Sequence, residues 1–83
     1  MNPDEQILAG YRGWLRKMAA AMTTPNLTED LAQEGWIAMW RALRGYDSAR
    51  GALPAWLTYK ARARMLDCIT DLAWLGRPRR HLG

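Results

Sequence analysis

The sequence predicts an all-α fold, a compact bundle of three to four helices, and three observations carry the prediction. Apolar residues recur at helical spacing through three segments of the 83-residue chain. No segment alternates apolar and polar residues with the period of two that marks a strand. Breaks rich in Thr, Pro, Gly and Asp separate the segments, and neither is long enough to divide domains. A chain of this length makes one domain, because pieces below about 50 residues rarely close a core unaided. Apolar residues at 49%, with five Trp and no Phe, supply that core.

The first segment runs from Pro3 to Met22. Asn2 stands as N-cap, Pro3 fits the first helical position, and Asp4 and Glu5 sit where the helix dipole favours anions. Leu8, Tyr11, Leu15, Met18 and Met22 fall on one face, with Arg12, Arg16 and Lys17 away from it. Thr23-Thr24-Pro25 breaks this helix, and Asn26 with Glu29 three residues on reads as a capping box opening the second, which reaches Leu43.

On the second helix Leu31, Gly35, Ala38, Met39, Ala42 and Tyr46 make the core stripe. Gln33, Trp36, Ile37 and Trp40 lie opposite it, where an isolated surface helix shows charge. Two explanations stand: a short extra helix from Trp74 onward covers these side chains, or they form a protein-binding surface rimmed by Asp30, Glu34 and Arg41.

Gly45, Asp47, Ser48 and Gly51 make a turn-rich loop, and Pro54 opens a third helix reaching Leu72 or Trp74. Leu57, Ala61, Met65, Cys68, Ile69 and Leu72 form its inward stripe. Gly76 and Pro78 end it, followed by the basic tail Arg77, Arg79, Arg80 and His81. The expected core is Leu8, Tyr11, Leu15, Leu31, Ala38, Ala42, Leu57, Met65 and Ile69, with Cys68 a small buried hydrophobe.

The outward side of the third helix carries Trp56, Tyr59, Lys60, Ala63 and Asp67, flanked by Arg62 and Arg64. Interleaved rings and cations are what single-stranded bases need, a π-face for stacking and positive charge for the phosphates. The competing explanation is that Trp56 packs inward and the cations solubilise the helix. Charge asymmetry favours a polyanion: residues 1–40 hold three Lys and Arg against five Asp and Glu, and residues 41–83 hold nine against three. With one Cys, one His (His81) and one Ser (Ser48), the usual nucleophile, base and metal-ligand sets are missing, so neither an enzyme nor a cofactor is expected. No apolar run approaches the ~18 residues of a membrane span, and Asn2-Pro3-Asp4-Glu5 is no signal-peptide start, so the expected location is the cytoplasm.

Asp30-Leu31-Ala32-Gln33-Glu34-Gly35, then Ala38, Arg41-Ala42-Leu43, Tyr46-Asp47, Arg50-Gly51, Ala55-Trp56-Leu57, Ala61-Arg62 and Asp67, resembles region 2 of bacterial RNA polymerase sigma factors. The Trp-Leu, Ala-Arg and Asp series looks most like the extracytoplasmic-function group. The resemblance implies a helical domain over 1–76, with 77–83 a basic tail or the start of an interdomain linker. It implies docking on the β′ clamp helices of RNA polymerase core through Asp30, Gln33, Glu34, Trp36 and Trp40. It also implies recognition and melting of the promoter minus-ten element, on the non-template strand. The loop from Arg50 through Ala52 and Leu53 to Pro54 would hold a flipped base. Trp56 and Tyr59 would stack, Lys60, Arg62 and Arg64 would contact phosphate, and Ala63 and Leu66 stand at base-reading positions.

Tyr59-Lys60 occupies the place of a Trp pair in housekeeping members, and Ala63 and Leu66 replace polar base readers, so the housekeeping promoter is not implied. A minus-35-reading region 4 would need chain beyond residue 76, so the sequence reads as an N-terminal fragment or a region-2-only protein. An anti-sigma factor is a further possible partner. Two rival classes remain: a small helical adaptor or anti-sigma target that binds no DNA, and a duplex-reading helix-turn-helix regulator. The near eight-residue break between the second and third helices lacks the short turn of the latter.

Overall fold

The computed structural model describes residues 2–76, so the basic tail expected over 77–83 lies outside the described residues. The chain folds as α1 (Pro3–Ala9), α2 (Arg12–Met22), α3 (Pro25–Arg44), a 3-10 turn (Ser48–Arg50), α4 (Leu53–Thr70) and α5 (Leu72–Gly76). Among the described residues there is no strand, and the predicted all-α bundle is what forms. The long helix α3 is its axis, packing most extensively on α4 and next on α2.

The predicted first helix is two helices. Asn2 caps α1 as expected, its Oδ1 accepting from the Glu5 N–H at 2.8 Å. At Gly10-Tyr11 the ladder tightens: the Tyr11 N–H donates to the Leu8 carbonyl, three residues back, at 2.9 Å. Glycine inside a helix costs about 1 kcal/mol relative to alanine, and the break falls at one of the two glycines of the segment, the other, Gly13, staying inside α2. Leu8 on one side of it and Leu15 on the other are both buried.

Two further boundaries differ from the sequence reading. The capping box at Asn26 does not form; Thr24 is the N-cap of α3, Pro25 takes its first position, and Asn26 Oδ1 accepts from Thr24 Oγ1 at 2.6 Å. Proline at the first position lacks an N–H that would otherwise need a partner, which moves the start ahead of Asn26. The third predicted helix stops at Thr70 rather than Leu72 or Trp74. Asp71 is extended there, and its Oδ1 accepts from the Ala73 N–H at 2.9 Å, starting α5 in a new direction. Leu72 is consequently 83% exposed, while Trp74 turns into the core.

The core holds Leu8, Leu15, Ala19, Leu31, Ala32, Met39, Ala42, Leu57, Ala61, Met65, Cys68 and Trp74. Tyr11 and Ile69, expected in it, are half-buried against it. Ala38 is half-buried at the edge of a groove, beside the buried stripe of α3 that runs through Leu31, Ala32, Gly35, Met39 and Ala42. Gly35 is where three helices meet: a Cβ there would lie 2.7 Å from Met65 Sδ and 2.8 Å from Leu15 Cδ2.

Candidate nucleic-acid interface

The loop before α4 is fixed by short-range bonds. Asp47 Oδ1 accepts from the Ala49 N–H at 2.8 Å, and the Tyr46 hydroxyl donates to the Gly51 carbonyl at 2.6 Å. Gly51 has φ +97°, a conformation that side chains disfavour. The loop therefore delivers Arg50 to the start of α4, with its guanidinium carbon 5.0 Å from the Trp56 ring centroid. Lys60, one turn further on, brings Nζ to 5.1 Å from the same ring. Trp56 is half-buried, and its indole N–H donates to the Ala42 carbonyl at 3.0 Å, locking the ring to α3. The Tyr59 ring lies 6.4 Å from it, tilted by 31°, and Tyr59 is 64% exposed. The result is a fixed indole flanked by two cations and an exposed phenol, which can stack on a planar group and hold an anion beside it.

At roughly 100° per residue the face of α4 divides. Trp56, Lys60, Ala63, Arg64 and Asp67 line a groove of about 690 Å³ whose other wall is Glu34, Ile37, Ala38 and Arg41 of α3. Tyr59, Arg62 and Leu66 are exposed on the outer flank. Across the groove Glu34 acts as a brace. Its Oε1 accepts from Arg64 Nε and Nη2 at 3.2 and 3.1 Å, and its Oε2 from the Trp74 indole N–H at 3.4 Å. Burial works against the Arg64 charge, but the Glu34 bond and neighbouring charges outweigh it and raise its pKa further. Replacing Glu34 with alanine leaves Arg64 and the Trp74 N–H without these acceptors. A loss of about 1 to 3 kcal/mol is expected, read as a lower urea midpoint.

The other flank of α3 is packed differently. Trp36 and Trp40 are half-buried against the core, so the two indoles are partly sunk rather than presented whole. Arg12 of α2 lies over Trp36, its guanidinium carbon 4.1 Å from the ring centroid. Gln33, Ile37 and Arg41 are exposed along this helix, with Asp30 half-buried. The short helix anticipated from Trp74 onward forms two residues earlier, as α5 (Leu72–Gly76). It packs on α4 and reaches Glu34, the side of α3 turned toward α4.

A family model described as Sigma-70 region 2 matches residues 7–75, from α1 to α5. The chain belongs to the sigma-70 region 2 family. No curated protein and no solved structure matches it. Membership gives the chain a sigma-factor role in transcription initiation, with RNA polymerase core and promoter DNA as the family's partners. No helix among the described residues is long and apolar enough to cross a membrane.

Within this sigma region 2 domain the structure gathers Arg50, Trp56, Tyr59 and Lys60 into one cluster, with Arg62 exposed on the outer flank. Ala52 is exposed, and Leu53 packs on the core. Ala63 and Arg64 face the groove between α3 and α4 instead. The Glu34 brace and the Arg12 contact with Trp36 were not anticipated. Each joins residues on different helices, and periodicity along one helix carries no signal for such pairs.

Proposed function

We propose that this domain docks on the β′ clamp helices of RNA polymerase core and there recognises and melts the promoter minus-ten element. The docking surface is the solvent side of α3, with Asp30, Gln33, Trp36 and Trp40 as contacts and Glu34 holding the helix against α4. The DNA surface is the loop and first turns of α4. The observation that carries the reading is the exposed Tyr59 beside the anchored Trp56 and its cations Arg50 and Lys60. Opening needs no catalytic group, because it is driven by tighter binding to the unpaired strand. Extruding a base costs a few kcal/mol and stacking returns about 1 to 3 kcal/mol per base, so one or two captured bases with polymerase contacts balance the account.

In this reading Tyr59 is the stacking surface, and Trp56, held by its bond to Ala42, is the wall behind it. Lys60 and Arg62 follow the phosphates, with Arg50, Ala52 and Leu53 shaping the approach. Ala63 and Arg64 contribute from the groove. The domain spans residues 1–76 and works in the cytoplasm, where the polymerase is. The Trp56-Leu57, Ala61-Arg62 and Asp67 series suits the extracytoplasmic-function group, and an anti-sigma factor would compete for the α3 surface. Against a module that binds no DNA stands the gathering of Arg50 and Lys60 around one indole.

On a promoter opened by the chain with core, Lys60→Ala and Arg62→Ala are each expected to weaken DNA binding. Each should also reduce the slope of log affinity against log salt by about 0.7 to 0.9. Tyr59→Ala is expected to spare closed-complex binding yet lose permanganate reactivity of thymines near minus ten. Normal reactivity in Tyr59→Ala contradicts the stacking role.

A further inference from the structure

We propose that Arg12 is a carboxylate-binding residue on the polymerase-docking side of this domain, taking an acidic side chain presented by the polymerase core; the inference rests on the docking reading above. Arg12 is exposed on α2, and its guanidinium carbon sits 4.1 Å from the Trp36 ring centroid, nearer than either cation at Trp56. Among the described residues its guanidinium makes this ring contact and no hydrogen bond or ion pair. Its planar set of N–H donors is thus placed by the indole and left without acceptors. Such a fork matches the two oxygens of a carboxylate.

The surroundings select the ligand. Arg12, Arg16, Gln33 and Trp36 border a cleft of about 120 Å³, close to the volume of four liquid waters and enough for the end of an Asp or Glu side chain. Arg16 is paired with Glu29 at 2.9 Å, which leaves Arg12 as the cation of this cleft without an acidic partner and Gln33 as an exposed amide beside it. A nucleic-acid strand fits poorly, because its successive phosphates would run past Glu29 and Asp30. The cations proposed for DNA lie on α4 and its preceding loop, whereas the cleft is walled by α2 and α3. A single carboxylate meets the Arg12 fork, the Gln33 amide and the indole, with Glu29 of the same cleft neutralised by Arg16, and needs no continuous positive track.

The test is titration of the full 83-residue chain against core RNA polymerase, with single-strand DNA binding measured alongside. Arg12→Glu is expected to weaken core binding about thirtyfold or more. Arg12→Gln should weaken it about tenfold, the equivalent of one charge-assisted hydrogen bond. Arg12→Lys keeps the charge but loses the fork, and should fall between wild type and Arg12→Gln. Melting temperatures are expected to stay close to wild type, since an exposed cation over a ring contributes little to folding; if Arg12→Glu melts early, Arg12→Gln and Arg12→Lys give the same comparison.

Wild-type chain that binds core, with all three variants binding equally well, overturns the Arg12 proposal and leaves the docking reading intact. Variants that lose DNA affinity while keeping core affinity overturn it in favour of a phosphate site. Failure of the wild-type chain itself to bind core overturns the docking reading and this inference together.

Discussion

Gly35→Val is expected to unfold the domain or leave it barely folded at room temperature. The Cβ alone would approach Met65 Sδ to 2.7 Å and Leu15 Cδ2 to 2.8 Å. Both are ends of flexible side chains, so Gly35→Ala can be met by a shift of each. Its overpacking cost of about 1 to 3 kcal/mol is offset by about 1 kcal/mol of helix propensity. Valine adds two methyl groups on a stiff β-branched carbon, and α2 and α4 must then part from α3. A domain of this size has on the order of 4 to 12 kcal/mol of total stability. Loss of the helical signal in circular dichroism, or a urea midpoint near zero, is the expected result. A valine variant as stable as wild type would show that the three helices do not meet at Gly35.

Trp40→Ala is expected to lower affinity for core polymerase about thirtyfold or more, the usual effect of truncating an interfacial tryptophan. Trp40 also packs on the hydrophobic core, so the same change lowers the melting temperature. The binding measurement therefore belongs well below that temperature. Gln33 is exposed, and Gln33→Ala should weaken core binding with no change in stability. Parallel losses in both variants locate the docking surface on α3. Full binding by both places it elsewhere.

The helical class, the core leucines and the inward stripe of α4 were legible in the sequence because each follows from spacing along a single helix. Leu8, Leu15, Leu31, Leu57 and Met65 are all fully or almost fully buried. What escaped is tertiary. Gly10 interrupts the first helix although the apolar face continues through it, because one backbone bond outweighs a periodic pattern. Asp71 ends α4 one turn before the apolar spacing does, and thereby brings Trp74 into the core. In the candidate site, Trp56 answers to both of its sequence readings at once: half-buried and hydrogen-bonded to α3, yet with cations gathered around its ring. Glu34 and Arg64 were assigned to two different partners, and the structure pairs them with each other. Like-placed charges on neighbouring helices look solvent-facing to any reading of one helix alone.

The central claim is that the face of α4 bearing Tyr59 captures unpaired DNA while the domain is held on polymerase. The most direct measurement compares the affinity of the chain bound to core polymerase for promoter DNA with a pre-opened minus-ten bubble against the fully paired duplex. A clear preference for the bubble, reduced about tenfold in Tyr59→Ala because stacking on one ring is worth about 1 to 3 kcal/mol, is the predicted result. Equal affinity for paired and unpaired DNA, or a preference untouched by Tyr59→Ala, would contradict it.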